Sequence, residues 1–364
     1  MSNETGIVVF TGIHIVLILL GVFFRKSNIL FAIQGLWMVI LFGFNCGGMD
    51  FIGNENIYLN ATPKVGLYDM FTNYLSYSFR MHGIDFVHYN LYVGIMVFLL
   101  LFWVISKFTA NRSFVLSLIM IYPFVEFVIQ KRYFYCMVLL VCAMAFLNMK
   151  NRFGYIGFCI LVFIAMQFHA SAAIFYVFVI YYLLPKKYRK KVFVSLAILF
   201  AVGYRFIPDI ASKFVAAQKV QLYFYTLAGN SSFFKFIFWV CLHCSYIYLF
   251  RWFVGKEKVE QNKQLSSNVL DYNYISLVFM PLYAFDPVFF RLYRPIIIWN
   301  YICLANCIQH RKHFITLSKV KMIILQVGLC VGTFIIFYVL VGAGFDKQVV
   351  PIFDENLFLN QFVK

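Results

Sequence analysis

The stretch Gly6-Ile7-Val8-Val9-Phe10-Thr11-Gly12-Ile13-His14-Ile15-Val16-Leu17-Ile18-Leu19-Leu20-Gly21-Val22-Phe23-Phe24 carries no charge until it stops at Arg25-Lys26. A helix of about 20 apolar residues, rising ~1.5 Å per residue, crosses the hydrocarbon core of a bilayer. Lipid offers no hydrogen bonds to the backbone, so a run of this kind must be helical. Similar runs recur to residue 342, which makes the chain a polytopic integral membrane protein of the all-α class.

Composition agrees. Hydrophobic residues make up 63% of the chain and aromatic ones 21%, while charged residues make up only 12%, about half the share of a soluble domain. The formal charge of +17 does not call for nucleic acid, because a membrane protein concentrates its Lys and Arg in loops on one side. Glu4 and the lack of a basic leader ahead of Gly6 point to a retained first helix and not a cleaved signal. The nine cysteines sit mostly inside apolar runs. Cys241-Leu242-His243-Cys244, flanked by Phe238-Trp239-Val240 and Tyr246-Ile247-Tyr248, reads as a lipid-facing helix with cysteine as a small hydrophobe.

A window of about 19 residues gives about 12 spans in a single membrane domain, near 6–24, 28–45, 89–106, 113–129, 133–148, 153–168, 170–184, 192–207, 233–252, 269–285, 292–309 and 320–342. Two longer connections, 46–88 and 208–232, and a short tail, 345–364, lie outside them. With the Arg25-Lys26 turn placed inside, the loops on that side hold 19 of the 31 Lys and Arg. The opposite side holds all the acids except Glu257, Glu260 and Asp271. Both termini and both large loops then face outward, and Lys186-Lys187-Tyr188-Arg189-Lys190-Lys191 is an inner anchor near anionic lipid.

Three outward turns break this rule. Lys131-Arg132 fills a tight turn between two apolar runs; His169 sits in Met166-Gln167-Phe168-His169-Ala170-Ser171; Arg291 and Arg294 begin the eleventh span and share a helix face. Each has an ordinary reading: Arg132 and Arg294 can snorkel to headgroups, His169 can be a packing residue, and Asp286 before Pro287 can start a turn or pair with Arg291. Independent snorkelling does not gather cations on the side the orientation rule disfavours, so together they point to a polyanion at the outer interface.

On these residues the chain resembles the EpsG/Wzy-type family of bacterial polysaccharide polymerases, from about residue 7 to 310. The resemblance rests on Asn45 through Asp50-Phe51-Ile52-Gly53-Asn54-Glu55-Asn56-Ile57-Tyr58, on Arg132 in Ile129-Gln130-Lys131-Arg132-Tyr133, on His169-Ala170-Ser171-Ala172, and on Arg291-Leu292-Tyr293-Arg294. Two positions depart from the family pattern: Asn54 stands where an aromatic is expected, and Val65-Gly66 lacks an acid before its glycine. The resemblance implies a metal-independent, inverting glycosyltransferase of the bacterial inner membrane, without a cofactor. It would extend O-antigen, capsule or exopolysaccharide at the periplasmic face from undecaprenyl-diphosphate-linked oligosaccharide, among membrane lipids and beside a chain-length regulator protein.

In that chemistry Arg132, Arg291 and Arg294 hold the diphosphate around one outward-opening cavity, with Lys131 as helper, since guanidinium meets phosphate oxygens in bidentate fashion. His169 is the candidate base, with Asp50 and Glu55 as alternatives and His82 and His88 as solvated loop residues. Tyr58, Tyr133 and Tyr293 are candidates to present ring faces to sugars, and Asp286 to contact substrate. A lipid-linked-oligosaccharide flippase and a glycan ligase are the competing classes. The flippase should show repeats, broken Gly/Pro helices or mid-bilayer charges and not cations confined to one face, whereas the ligase uses nearly the same residues.

The charge pattern predicts opposite sidedness for reporter fusions after residues 70 and 189, periplasmic for the first and cytoplasmic for the second. The same sidedness at both contradicts it.

Overall fold

The computed structural model describes residues 3–63, 68–149, 151–213, 217–226, 232–255, 259–309, 316–342 and 344–362. Val65-Gly66 and Glu257 lie outside them. The fold is all-α, as expected; among the described residues the extended pairing is a lone bridge between Asn45 and Asn356. Two compact units form, one from Met1–Ala172 with Ile308–Lys364 and one from Ala173–Cys307.

The first unit opens with α1 (Asn3–Phe23) and α2 (Asn28–Gly43), the latter capped by Ser27, whose Oγ accepts from the Leu30 N–H. The stretch 46–88 holds two helices, α3 (Phe51–Leu59) and α4 (Met70–Met81), and then come α5 (Phe86–Phe108), α6 (Arg112–Ile121), α7 (Phe124–Ile129), α8 (Lys131–Leu147) and α9 (Arg152–Met166). Small residues let these helices approach closely. A Cβ on Gly94 would meet the Phe42 ring at 2.7 Å, and one on Gly21 would meet the Ser113 carbonyl at 2.6 Å.

A short connection folds α8 back along α9. Asn151 caps α9 by accepting from the Gly154 N–H at 2.8 Å, and Phe146 of α8 lies against Gly157, where a Cβ would meet its ring at 2.5 Å. This antiparallel hairpin returns the end of α9, with His169 just beyond it, to the start of α8, where Arg132 sits.

A 3-10 turn, Ala170–Phe175, carries the chain from the first unit into the second and leads into α10 (Tyr176–Leu183). There follow α11 (Lys186–Val202), α12 (Ile207–Ser212), α13 (Ala217–Val220), α14 (Phe233–Val254), α15 (Glu260–Ile275) and α16 (Arg294–Gln309), with 3-10 segments Ser276–Ala284 and Pro287–Tyr293 between the last two. Within the basic run, Arg189 donates to the carbonyls of Tyr182 and Leu184, both at 2.7 Å, meeting the unpaired carbonyls at the end of α10. The first unit is completed by α17 (Thr316–Ile335), α18 (Phe345–Gln348) and α19 (Val350–Asp354). The tail beyond α19 pairs with the end of α2: Cys46 N–H donates to the Glu355 carbonyl and Leu357 N–H to the Phe44 carbonyl.

Among the described residues, five helices are long and apolar enough to cross a membrane: Thr5–Phe23, Phe86–Phe108, Phe233–Val254, Pro287–Gln309 and Ser318–Leu340. A sixth arises if Lys186–Val202 and Tyr204–Ser212, bent by 76°, form one span. That is fewer than the twelve expected from hydropathy. The expected spans at 28–45, 113–129, 153–168 and 170–184 fall on shorter apolar helices. Proline explains two of the differences, because it lacks the N–H that continues an α-helix. Pro123 separates α6 from α7, and Pro281 lies inside the 3-10 segment into which α15 tightens at Ser276.

Candidate functional site

In the first unit the hairpin brings three of the predicted residues together. Arg132 donates from Nη2 to the Phe168 carbonyl at 3.4 Å, beside His169, while the Tyr133 ring meets the His169 imidazole edge-on, centroids 5.4 Å apart. The same Nη2 donates to Asp69 Oδ1 at 2.7 Å. Arg132 Nε is buried and has no hydrogen-bond partner among the described residues.

Asp69 was not foreseen from the sequence. It precedes α4 with φ of +60°, a left-handed conformation uncommon for residues other than glycine, though aspartate tolerates it better than most. The surrounding backbone fixes it there: the Asp69 N–H donates to the Met166 carbonyl, and the Thr72 N–H and hydroxyl both donate to the Gln167 carbonyl. Thus the start of α4 is docked on the end of α9, and the carboxylate is aimed at Arg132.

The contacts of His169 determine its proton. The Ser171 N–H, which can only donate, points at Nδ1 at 3.3 Å, and the Ser171 hydroxyl lies 2.7 Å from the same nitrogen. Nδ1 is therefore the acceptor, and the neutral ring carries its hydrogen on Nε2. In this arrangement His169 offers a donor, whereas the sequence reading made it a base. Asp50 and Glu55 flank the first turn of α3, Asp50 exposed and Glu55 half-buried. Asn54 of the same helix lines a small cavity with Lys131 and Arg132.

Several predicted residues serve other purposes. Lys131 is 2% exposed and donates to the carbonyls of Phe42 at 2.7 Å and Asn45 at 3.1 Å. It ties down the C-terminal end of α2, where carbonyls lack helical partners, and does not reach for phosphate. Tyr58 and Tyr133 are buried; the Tyr58 hydroxyl donates to the Ile84 carbonyl at 2.6 Å, so neither ring face is open to a sugar. His82 bonds back to the Ser78 carbonyl, and His88 pairs with Asp85 of its own turn.

In the second unit Arg291 and Arg294 differ although they are three apart. Arg294 is 1% exposed and lies within the most buried of the long apolar helices, Pro287–Gln309, so it is an internal residue and not a snorkelling one. Arg291 is 6% exposed, its guanidinium 5.2 Å from the Tyr223 ring centroid, with the Tyr223 and Phe224 rings also packed at a tilt against Phe289. Tyr293 is fully buried and hydrogen-bonded through its hydroxyl to Asn273, which removes it as a sugar platform. Asp286 Oδ1 caps the following turn by accepting from the Val288 N–H at 2.6 Å.

Burial raises the Asp286 pKa above the ordinary carboxylate range, against the opposing pull of the Val288 N–H, Arg291 and Lys235. The folded state then holds this proton more tightly than the unfolded chain, so its contribution to stability falls as pH rises from about 4 through the folded value. Asp286→Asn keeps the cap and removes the titration. Its melting temperature in detergent should gain on the parent's between pH 4 and pH 7; an equal offset at both pH values contradicts this.

The EpsG family matches residues 28–351, an interval that includes both arginine corners, Asp69 and His169. No curated protein and no solved structure matches the chain. With its all-helical fold and apolar spans, and with the match running through most of its length, the chain belongs to the EpsG family.

Proposed function

We propose that this protein polymerises undecaprenyl-diphosphate-linked oligosaccharide repeats at the periplasmic face of the bacterial inner membrane. Membership of the EpsG family suggests a polysaccharide-polymerase-like glycosyltransferase, and its apolar helices suggest a membrane protein. The observation that carries the finer reading is the corner formed by Arg132, Asp69 and the 168–169 turn. There a guanidinium is held at Nη2 by a carboxylate and a carbonyl, beside an imidazole whose neutral ring carries its hydrogen on Nε2.

In the reaction the acceptor sugar hydroxyl attacks the anomeric carbon of the growing glycan. The bond from that carbon to the carrier diphosphate breaks, and the electron pair leaves on the diphosphate. Charge grows on those oxygens, and preorganised donors stabilise it most when they are aimed in advance. Arg132 supplies the hydrogens of its other terminal nitrogen, Nη1, and His169 Nε2–H a further donor, while Asp69 anchors Nη2. The hydroxyl proton passes to a carboxylate on the opposite face of the sugar, as single displacement with inversion requires. Glu55 and Asp50 on α3 are the carboxylates assigned to this step. Arg291, over Tyr223, is assigned to carrier diphosphate as well.

The test is extension of the native lipid-linked repeat by purified protein, read as a ladder of products. Arg132→Lys keeps the charge and loses the fork, so extension should fall by about 100-fold or more with normal membrane insertion. His169→Gln retains a donor near the position of Nε2 and should keep measurable ladders, while His169→Ala should lose them. Full activity of Arg132→Lys contradicts the reading, and complete loss in His169→Gln returns the base role to the imidazole.

A further inference from the structure

His243 lies at the middle of α14, within one of the long apolar helices, and is fully buried. Its Nδ1 is 2.8 Å from the Tyr283 hydroxyl and its Nε2 2.9 Å from the Ser276 hydroxyl. The proton count assigns each bond. Ser276 has one hydroxyl hydrogen and directs it to the Asn273 carbonyl at 2.6 Å. Ser276 Oγ therefore accepts from His243, Nε2 carries the hydrogen, and Nδ1 accepts from the Tyr283 hydroxyl.

The chain of bonds continues from Asn273. Its Nδ2 donates to the Val269 carbonyl at 2.8 Å and to Asn300 Oδ1 at 2.7 Å. Asn300 Nδ2 returns to Asn273 Oδ1 and to the Tyr293 hydroxyl, and Tyr293 donates to Asn273 Oδ1. The Tyr293 ring packs on the His243 imidazole with centroids 3.8 Å apart. Every hydrogen of this neutral network is used inside the unit, and its far end is the tyrosine between Arg291 and Arg294.

We propose that His243 is a positioning residue: through Ser276, Asn273 and Tyr293 it fixes the 3-10 segment Pro287–Tyr293, and so sets where Arg291 meets carrier diphosphate. A buried polar network in an apolar surround is costly unless fully satisfied, and when satisfied it specifies one arrangement. A 3-10 segment has poorer hydrogen-bond geometry than an α-helix and depends more on such outside support. The inference rests on the assignment of Arg291 to diphosphate.

The experiment measures binding of undecaprenyl diphosphate to the purified full chain in detergent, with undecaprenol as the uncharged control, alongside thermal unfolding. Arg291→Ala should weaken diphosphate binding and leave undecaprenol unaffected. His243→Phe fills the ring site without bonds, and Tyr293→Phe removes one hydroxyl. Both should weaken diphosphate binding by about 10- to 100-fold, the size of losing a hydrogen bond to a charged group, with undecaprenol binding unchanged. His243→Gln, which supplies one donor and one acceptor, should restore most of the affinity. If Arg291→Ala weakens binding while Tyr293→Phe and a folded His243→Phe do not, the inference falls and the Arg291 assignment stands. If Arg291→Ala binds normally, the assignment falls and takes the inference with it. Equal losses for both lipids from His243→Phe and Tyr293→Phe, or no recovery in His243→Gln, assign the network to folding alone and overturn the inference.

Discussion

A polar group inside an apolar protein in lipid has no water to turn to, so it must be met by another group of the same protein. That constraint organises this chain. Lys131 is met by the end carbonyls of α2, Arg189 by those of α10, Arg132 by Asp69 and the Phe168 carbonyl, and His243 by two hydroxyls. Most of these bonds join segments far apart in sequence. The polar residues thus fix how apolar helices register against one another, which dispersion between similar aliphatic surfaces specifies less sharply.

Under this constraint adjacent cations take different roles. Lys131 and Arg132 are neighbours, yet the ammonium, a compact point charge, is spent on two carbonyls, while the planar guanidinium is held at one of its nitrogens, Nη2. Arg291 and Arg294 divide similarly: one lies over an aromatic ring and the other starts a buried helix. Lys131 and Arg294 are thus part of the framework, and Arg132 and Arg291 are the two cations for which phosphate binding is proposed.

How much was legible in the sequence depended on whether the signal was local. The joining of Arg132 with His169 was legible because only a short turn separates two apolar runs, and such runs fold back on each other. Asp69 was not: it lies in a long outer connection, and its aim depends on bonds to Met166 and Gln167 about 100 residues away. His243 has a local signal in the sequence. Trp239, Leu242, His243, Tyr246, Ile247 and Phe250 are all buried, and their spacing is the 3- and 4-residue rhythm of an inward helix face, whereas the Cys241 and Cys244 pair drew attention to the exposed side. Hydropathy likewise saw apolar runs at 113–129 and 269–285 but not their breaks, because a window average gives proline no special weight.

The proposed mechanism depends on where the carrier diphosphate sits relative to Arg132. Its most direct test is an experimental structure of the protein in lipid nanodiscs with undecaprenyl diphosphate bound. The account predicts diphosphate oxygens within hydrogen-bond reach of the Arg132 guanidinium, with His169 Nε2 directed at them. Diphosphate bound away from Arg132, with the Arg132–Asp69 pair unchanged, would contradict it.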